Sequence, residues 1–177
     1  MESRNWLITS TTYGTWLPGD PRGFVSNVRL PDDALAKHNQ YGTVYDQDHP
    51  RLQDLARKRM RGSPIYFTQA HADIVLAQFL ETTKVQRWHV HALAIMSNHF
   101  HLVVTAVESI PSKKILQSYK SYASRALNEN FPRPASDTWW TTSGSRRPLR
   151  GEEALAHAIA YVLNQKNPLV IWSYHRS

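Results

Sequence analysis

Residues 89–96 (HVHALAIM) and 99–105 (HFHLVVT) are two strand-forming runs separated only by Ser97-Asn98. A two-residue gap leaves room for nothing but a tight turn, so the runs must fold back on each other as an antiparallel hairpin. With that turn Met96 pairs with His99 and Ala94 with His101. Alternation then sends Phe100, Leu102 and Val104 to a core face and His99 and His101 to the other. The two histidines share their face with Ala92 and Ala94, whose small side chains would leave space for a cation and a substrate. The same alternation turns His89 and His91 toward the apolar side with Leu93 and Ile95, as core or edge residues.

Residues 5–12 (NWLITSTT) read as a further strand. Residues 68–84 form a helix that Thr68 can cap, and Pro111 opens another that runs to about residue 130. Its apolar positions, Ile115, Leu116, Tyr119, Tyr122, Ala123, Ala126 and Leu127, recur at helical spacing. A short strand is expected at 139–142. Gly151-Glu152-Glu153 then opens a last helix, with acids in its first turn, that runs to about 166 and stops before Asn167-Pro168. A short apolar tail, 169–172, follows. The order strand, helix, strand, strand, helix, strand predicts an α+β fold: a ferredoxin-like antiparallel sheet with helices on one face, plus the C-terminal helix.

Residues 13–63 hold five of the seven glycines and four of the ten prolines. They are expected as an irregular insertion lying on a single domain spanning 1–177, with short helices after Pro31-Asp32-Asp33 and across 51–60.

Composition narrows the function. Cysteine is absent, which excludes a disulfide scaffold and thiolate zinc and fits a reducing cytoplasm. No apolar run approaches the roughly 20 residues of a membrane helix, and the first residues lack the layout of a secretory signal. The net charge is +7. Between Glu108 and Arg150 eight basic residues face three acidic ones, so most of the excess lies in about a quarter of the chain. Such a patch suits a polyanion, although a solvated positive surface explains it equally well.

Residues two apart on a strand stand roughly 6.6 Å apart on one face, so His99 and His101 can reach one cation. An isolated His-x-His is weak evidence, because two structural histidines on a half-exposed strand give the same pattern. On the last helix Leu155, Ala158, Ile159 and Val162 form the apolar stripe. His157, Tyr161 and Gln165 follow at i, i+4 and i+8 on a neighbouring face. Alone, Tyr161 reads as an amphipathic rim residue and Gln165 as a solvated one.

Together these segments resemble a known family. Met96-Ser97-Asn98-His99-Phe100-His101-Leu102 is similar to the signature of the HUH transposases that use a single tyrosine. These comprise the insertion-sequence transposases and the REP-associated tyrosine transposases. Tyr161-Val162-Leu163-Asn164-Gln165 resembles their nucleophile segment, Asn167-Pro168 a stretch of the REP-associated branch, and Lys120-Ser121-Tyr122 a further element. The stretch from Thr12 to Asp20 (TYGTWLPGD) is similar to one subgroup. Ser97 replaces the usual proline, and the insertion is longer than minimal members carry.

The resemblance implies metal-dependent, ATP-independent cutting and rejoining of single-stranded DNA through a 5′-phosphotyrosine, with recognition of hairpin or repeat DNA. Tyr161 would be the nucleophile, and His99, His101 and Gln165 the ligands of a Mg²⁺ or Mn²⁺ ion. His157 is a candidate to assist. Lys113, Lys114, Lys120, Arg125, Arg146 and Arg147 could follow the DNA backbone, and Trp139, Trp140, Tyr119 and Tyr122 could stack on unpaired bases. For Tyr119 and Tyr122 core packing is the favoured reading. Insertion-sequence members are dimers with shared sites, whereas REP-associated members can act as monomers, so a homodimer and a monomer both stay open. The location implied is cytoplasmic, at the nucleoid in a bacterium, with no membrane partner. Two alternatives remain: a domesticated sequence-specific DNA-binding protein, and an unrelated metal-dependent phosphoesterase in which Tyr161 is incidental.

Overall fold

The computed structural model describes residues 2–20 and 50–174, together with the backbone of 27–29 and 35–37. In chain order the elements are β1 (Ser3–Thr11), β2 (Asn27–Arg29), β3 (Leu35–Lys37), α1 (Pro50–Lys58), α2 (Gln69–Gln86) and β4 (His89–Ile95). There follow β5 (His99–Val107), α3 (Ser112–Asn130), β6 (Ser145–Leu149), α4 (Gly151–Leu163) and β7 (Val170–Ser173). Five strands form one antiparallel sheet in the order β6-β1-β5-β4-β7. The first four make the ferredoxin-like arrangement expected from the element order, and β7 extends it at one edge.

The sheet separates two apolar layers. On one side α2 and α3 cover Ile8, Val90, Leu93, Ile95, Phe100, Leu102 and Val104, all buried. On the other side α4 covers Ala92, Ala94, Met96, Val103 and Leu149 with Leu155, Ala158, Ile159 and Val162. Thus α2 and α3 lie on one face of the sheet and α4 on the other. Phe100 is fully buried, its ring edge-on to Phe79 at 5.0 Å and to Trp140 at 5.5 Å. Truncation there leaves a cavity between rigid rings, so Phe100→Ala should cost about 3–5 kcal/mol of stability. The expected signature is a lower urea midpoint with an unchanged m-value.

Several expectations need correction. The strand placed at 139–142 lies instead at Ser145–Leu149; the earlier segment makes only an isolated bridge between Thr12 and Trp140. Trp139 and Trp140 are buried, and their indole N–H groups donate to Asn128 Oδ1 at 2.8 Å and Ser124 Oγ at 3.1 Å on α3. They are core residues and cannot serve as stacking platforms. The sequence SRRPL hides the true strand because Pro148 and two arginines read as a turn. On an edge strand both are tolerated, since a proline there costs no ladder bond and the charges block pairing with another chain.

The last helix ends at Leu163 rather than near 166, and the apolar tail becomes β7, paired with β4. Leu35–Lys37, expected to begin a helix, is extended and pairs with Asn27–Arg29; the rest of that segment lies outside the described residues. The second short helix is present as α1. A β-bulge between Val90 and Ala92 also changes the parity of β4. Val90 and Leu93 both face the α2/α3 layer, so His91 and His89 turn away from it, contrary to simple alternation.

Candidate active site and nucleic-acid interface

The turn at Ser97-Asn98 is held from several directions. The Asn98 carbonyl accepts from the Thr12 backbone N–H at 2.9 Å and the Thr15 hydroxyl at 3.2 Å. The Ser97 carbonyl accepts from Phe67 N–H at 2.6 Å. Asn98 Oδ1 lies 2.6 Å from His99 Nδ1. A carboxamide oxygen can only accept, so Nδ1 carries the proton and Nε2 presents a lone pair. On the adjacent strand Thr9, register partner of His101, places its Oγ1 2.7 Å from His101 Nδ1. Both Nδ1 atoms are thus engaged, and the two Nε2 atoms converge to 3.1 Å.

That separation is a test of fit for a cation. With metal–nitrogen bonds of about 2.1 Å, two ligands at right angles stand about 3.0 Å apart and two at the tetrahedral angle about 3.4 Å. The pair fits adjacent positions of an octahedral ion. His101 is buried, and desolvation, then the neighbouring His99, pull its pKa down to about 4. It therefore stays neutral, as a ligand must.

Tyr161 reaches this pair from α4. Its ring stands edge-on to His101 with centroids 5.2 Å apart, while about half of the residue (51%) remains exposed. Ala92 and Ala94, expected to leave open space, are instead fully covered by α4. Their small side chains let the helix approach closely enough to bring Tyr161 over the histidines. Gln165 lies beyond the helix end, its Nε2 donating to the Tyr161 carbonyl at 3.0 Å. The structure thus assembles His99, His101 and Tyr161, and holds Gln165 one turn away.

Beside Tyr161 opens a cleft of about 710 Å³, floored by Leu7, Thr9, Ser145, Arg147 and Leu149 and walled by Arg150, Glu153, Ala154, His157 and Ala158. His157 stands one turn before Tyr161 in that wall. Arg146 and Arg147 diverge, as neighbours on a strand must. Arg147 enters the cleft, whereas Arg146 faces Lys120 on the α3 side. Lys113 and Lys114 are exposed in the first turn of α3, where the helix dipole disfavours cations by a few tenths of a kcal/mol. Arg125 lies over the exposed Tyr122 ring at 5.1 Å. Tyr119 is buried as favoured, but Tyr122 is not.

Lys120 is half-buried, and its ammonium donates to the carbonyls of Thr141 and Ser143, fixing the loop ahead of β6. Burial, then Arg146, lower its pKa from 10.5 to about 8. Between these values the unfolded chain holds a proton that the folded chain lacks, so Lys120's contribution to stability rises with pH. Wild type should gain on Lys120→Met when urea unfolding is moved from pH 7.5 to 9.5.

Thr9, Arg150 and Glu153 belong to the site but not to any motif. Only the β1–β5 register and the α4 docking bring them in.

Residues 61–165, more than half the chain, match the protein family described as Transposase IS200 like. The chain belongs to the IS200-like transposases. The match begins after β1, although β1 supplies Thr9 to the histidine pair. No curated protein matches the chain in sequence. Among solved structures it is similar to a REP-associated tyrosine transposase bound to a REP hairpin, with 8% identity and a TM-score of 0.52. That alignment covers 92% of this chain and 66% of the other, so the chain spans slightly under two thirds of its length. A structure from Deinococcus radiodurans aligns at 13% identity and a TM-score of 0.48, covering 94% of each chain. At such identities the likeness concerns the fold, and the family rests on the sequence match. Among the described residues no helix is long and apolar enough to cross a membrane.

Proposed function

We propose that this IS200-like transposase cleaves and rejoins single-stranded DNA through a covalent link to Tyr161. The observation that carries the reading is the placement of the Tyr161 ring against His101, whose Nε2 converges on that of His99. Tyr161 Oη attacks phosphorus and forms a new P–O bond while the phosphate stays on the 5′ oxygen; the P–O3′ bond breaks, and the 3′ oxygen takes a proton from water and leaves as a hydroxyl. His157, one turn earlier in the cleft wall, takes the phenolic proton. A strand bearing a free 3′-hydroxyl reverses the attack and restores a phosphodiester, with no nucleotide consumed.

His99 and His101 would hold a divalent cation, Mg²⁺ or Mn²⁺, with the Gln165 carboxamide oxygen as third ligand. When bound, the ion polarises the scissile phosphate. All three donors are neutral, so the cation keeps its full charge, and the two nitrogens favour Mn²⁺ over Mg²⁺. Arg147 and Arg150 line the cleft where a strand entering toward Tyr161 would place its phosphates. Lys113, Lys114 and Arg125 give further salt-sensitive contacts, and Tyr122 offers an exposed ring for a base. A REP hairpin is the DNA bound in the REP-associated structure of similar fold, and a hairpin is the substrate proposed for this chain.

The test is a denaturing gel after incubation with Mn²⁺ and labelled hairpin oligonucleotides, followed by mass spectrometry of the labelled peptide. An adduct on the peptide containing Tyr161 is expected. Cleaved products with no adduct would overturn covalent catalysis in favour of a hydrolytic phosphoesterase.

A further inference from the structure

A second pair of histidines lies on the same face of the sheet and outside the machinery described above. His89 and His91 have ring centroids 4.5 Å apart at an interplanar angle of 78°, against 4.7 Å and 82° for His99 and His101. A tyrosine stands edge-on here too: the Tyr174 ring is 4.7 Å from that of His89, and its backbone N–H donates to the His91 carbonyl at 3.1 Å. The pairs are well separated. Along β5, His101 and Thr105 mark them four residues, or roughly 13 Å, apart, and Val103 between them is covered by α4.

The hydrogen bonds around His91 fix its chemistry. Thr105 Oγ1 donates its single proton to Asn5 Oδ1 at 2.5 Å, and the same oxygen lies 2.7 Å from His91 Nε2. Having no second proton, Thr105 must accept from His91, so Nε2 carries the hydrogen and Nδ1 keeps its lone pair. An outer-layer hydroxyl and carboxamide that hold one ring nitrogen as N–H are what orient a metal-binding histidine. His89 is exposed, and among the described residues neither ring is ion-paired.

We infer that His89 and His91 form a second cation site, taking a first-row transition ion of the Ni²⁺, Cu²⁺ and Zn²⁺ group, with Tyr174 as its outer wall. Two neutral imidazoles without a carboxylate select ions that bind nitrogen well and discriminate against Mg²⁺ and Ca²⁺, which need oxygen. The β-bulge creates the site. It makes His91 the extra residue on β4 and turns its ring toward Thr105 instead of into the core. Tyr174 follows β7 directly, so the site lies where the end of the last strand meets β4. The site is independent of strand cleavage, so its test and that of Tyr161 fail separately.

Calorimetric titration of untagged protein with NiCl₂ tests it. Wild type should bind two ions, and the His99→Ala/His101→Ala variant should retain one. His89→Ala, an exposed substitution that folding tolerates, should lower wild-type stoichiometry from two to one. In the double variant it should weaken the remaining ion at least tenfold. Cu²⁺ bound to the double variant should give an electron paramagnetic resonance spectrum with coupling to two nitrogens. Binding whose stoichiometry and affinity are indifferent to His89→Ala, in wild type and in the double variant alike, would overturn the site. Should the double variant not fold, the comparison of wild type with His89→Ala decides alone.

Discussion

Tyr161→Phe should abolish strand cleavage and the covalent adduct while leaving Mn²⁺ affinity and stability where they were. The substitution removes one oxygen. If that oxygen forms the bond to phosphorus, no neighbouring group replaces it, and the rate should fall by at least about 10⁴-fold, or about 5.5 kcal/mol of barrier. The two unchanged quantities follow from the geometry. Tyr161 meets His101 through its ring, and phenylalanine keeps that edge-on contact. The residue is half exposed, so loss of the hydroxyl should shift stability by no more than about 0.5 kcal/mol. Calorimetry with Mn²⁺, urea unfolding and the gel assay are read together. Nicking that persists above about one per cent of wild type would remove Tyr161 from the nucleophile's role and return it to the helix rim.

The hairpin was legible because a two-residue turn fixes register, and register fixes which side chains share a face. Phe100, Leu102 and Val104 against His99 and His101 follow from that alone, and the structure places them so. What the pattern concealed was non-local. Thr9 meets His101 only because β1 pairs with β5, a contact 92 residues apart in the chain. The bulge at His91 leaves no mark in composition, yet it reverses the facing of two histidines. Trp139 and Trp140 read as strand or as stacking surface, and their destination depended on Asn128 and Ser124 being offered by α3. The tyrosine helix was readable by its stripe. That it would dock on the opposite face from α2 and α3 was implicit in Ala92 and Ala94, since small residues on a sheet face admit a helix as readily as they leave a cavity.

His101→Ala should lose Mn²⁺ affinity by at least about 100-fold, and cleavage with it, because one of two imidazole donors disappears, and among the described residues no carboxylate joins the pair to compensate. That outcome alone would not separate ligation from packing, since His101 is 6% exposed and its removal leaves a void. Thr9→Val makes the separation. Valine keeps the volume and the strand propensity of threonine but cannot accept from or donate to His101 Nδ1. The imidazole then keeps its place and loses the partner that sets its tautomer, a loss that typically costs 10–100-fold in metal affinity. Excess Mn²⁺ should therefore restore cleavage by Thr9→Val toward wild type and should do nothing for His101→Ala. If His101 served only to fill the core, the order would invert: the alanine variant would be unstable yet bind Mn²⁺ normally, and Thr9→Val would be silent in both measurements. A Thr9→Val enzyme with weakened but saturable metal dependence is the result that fixes His101 as a ligand and Thr9 as the residue that positions it.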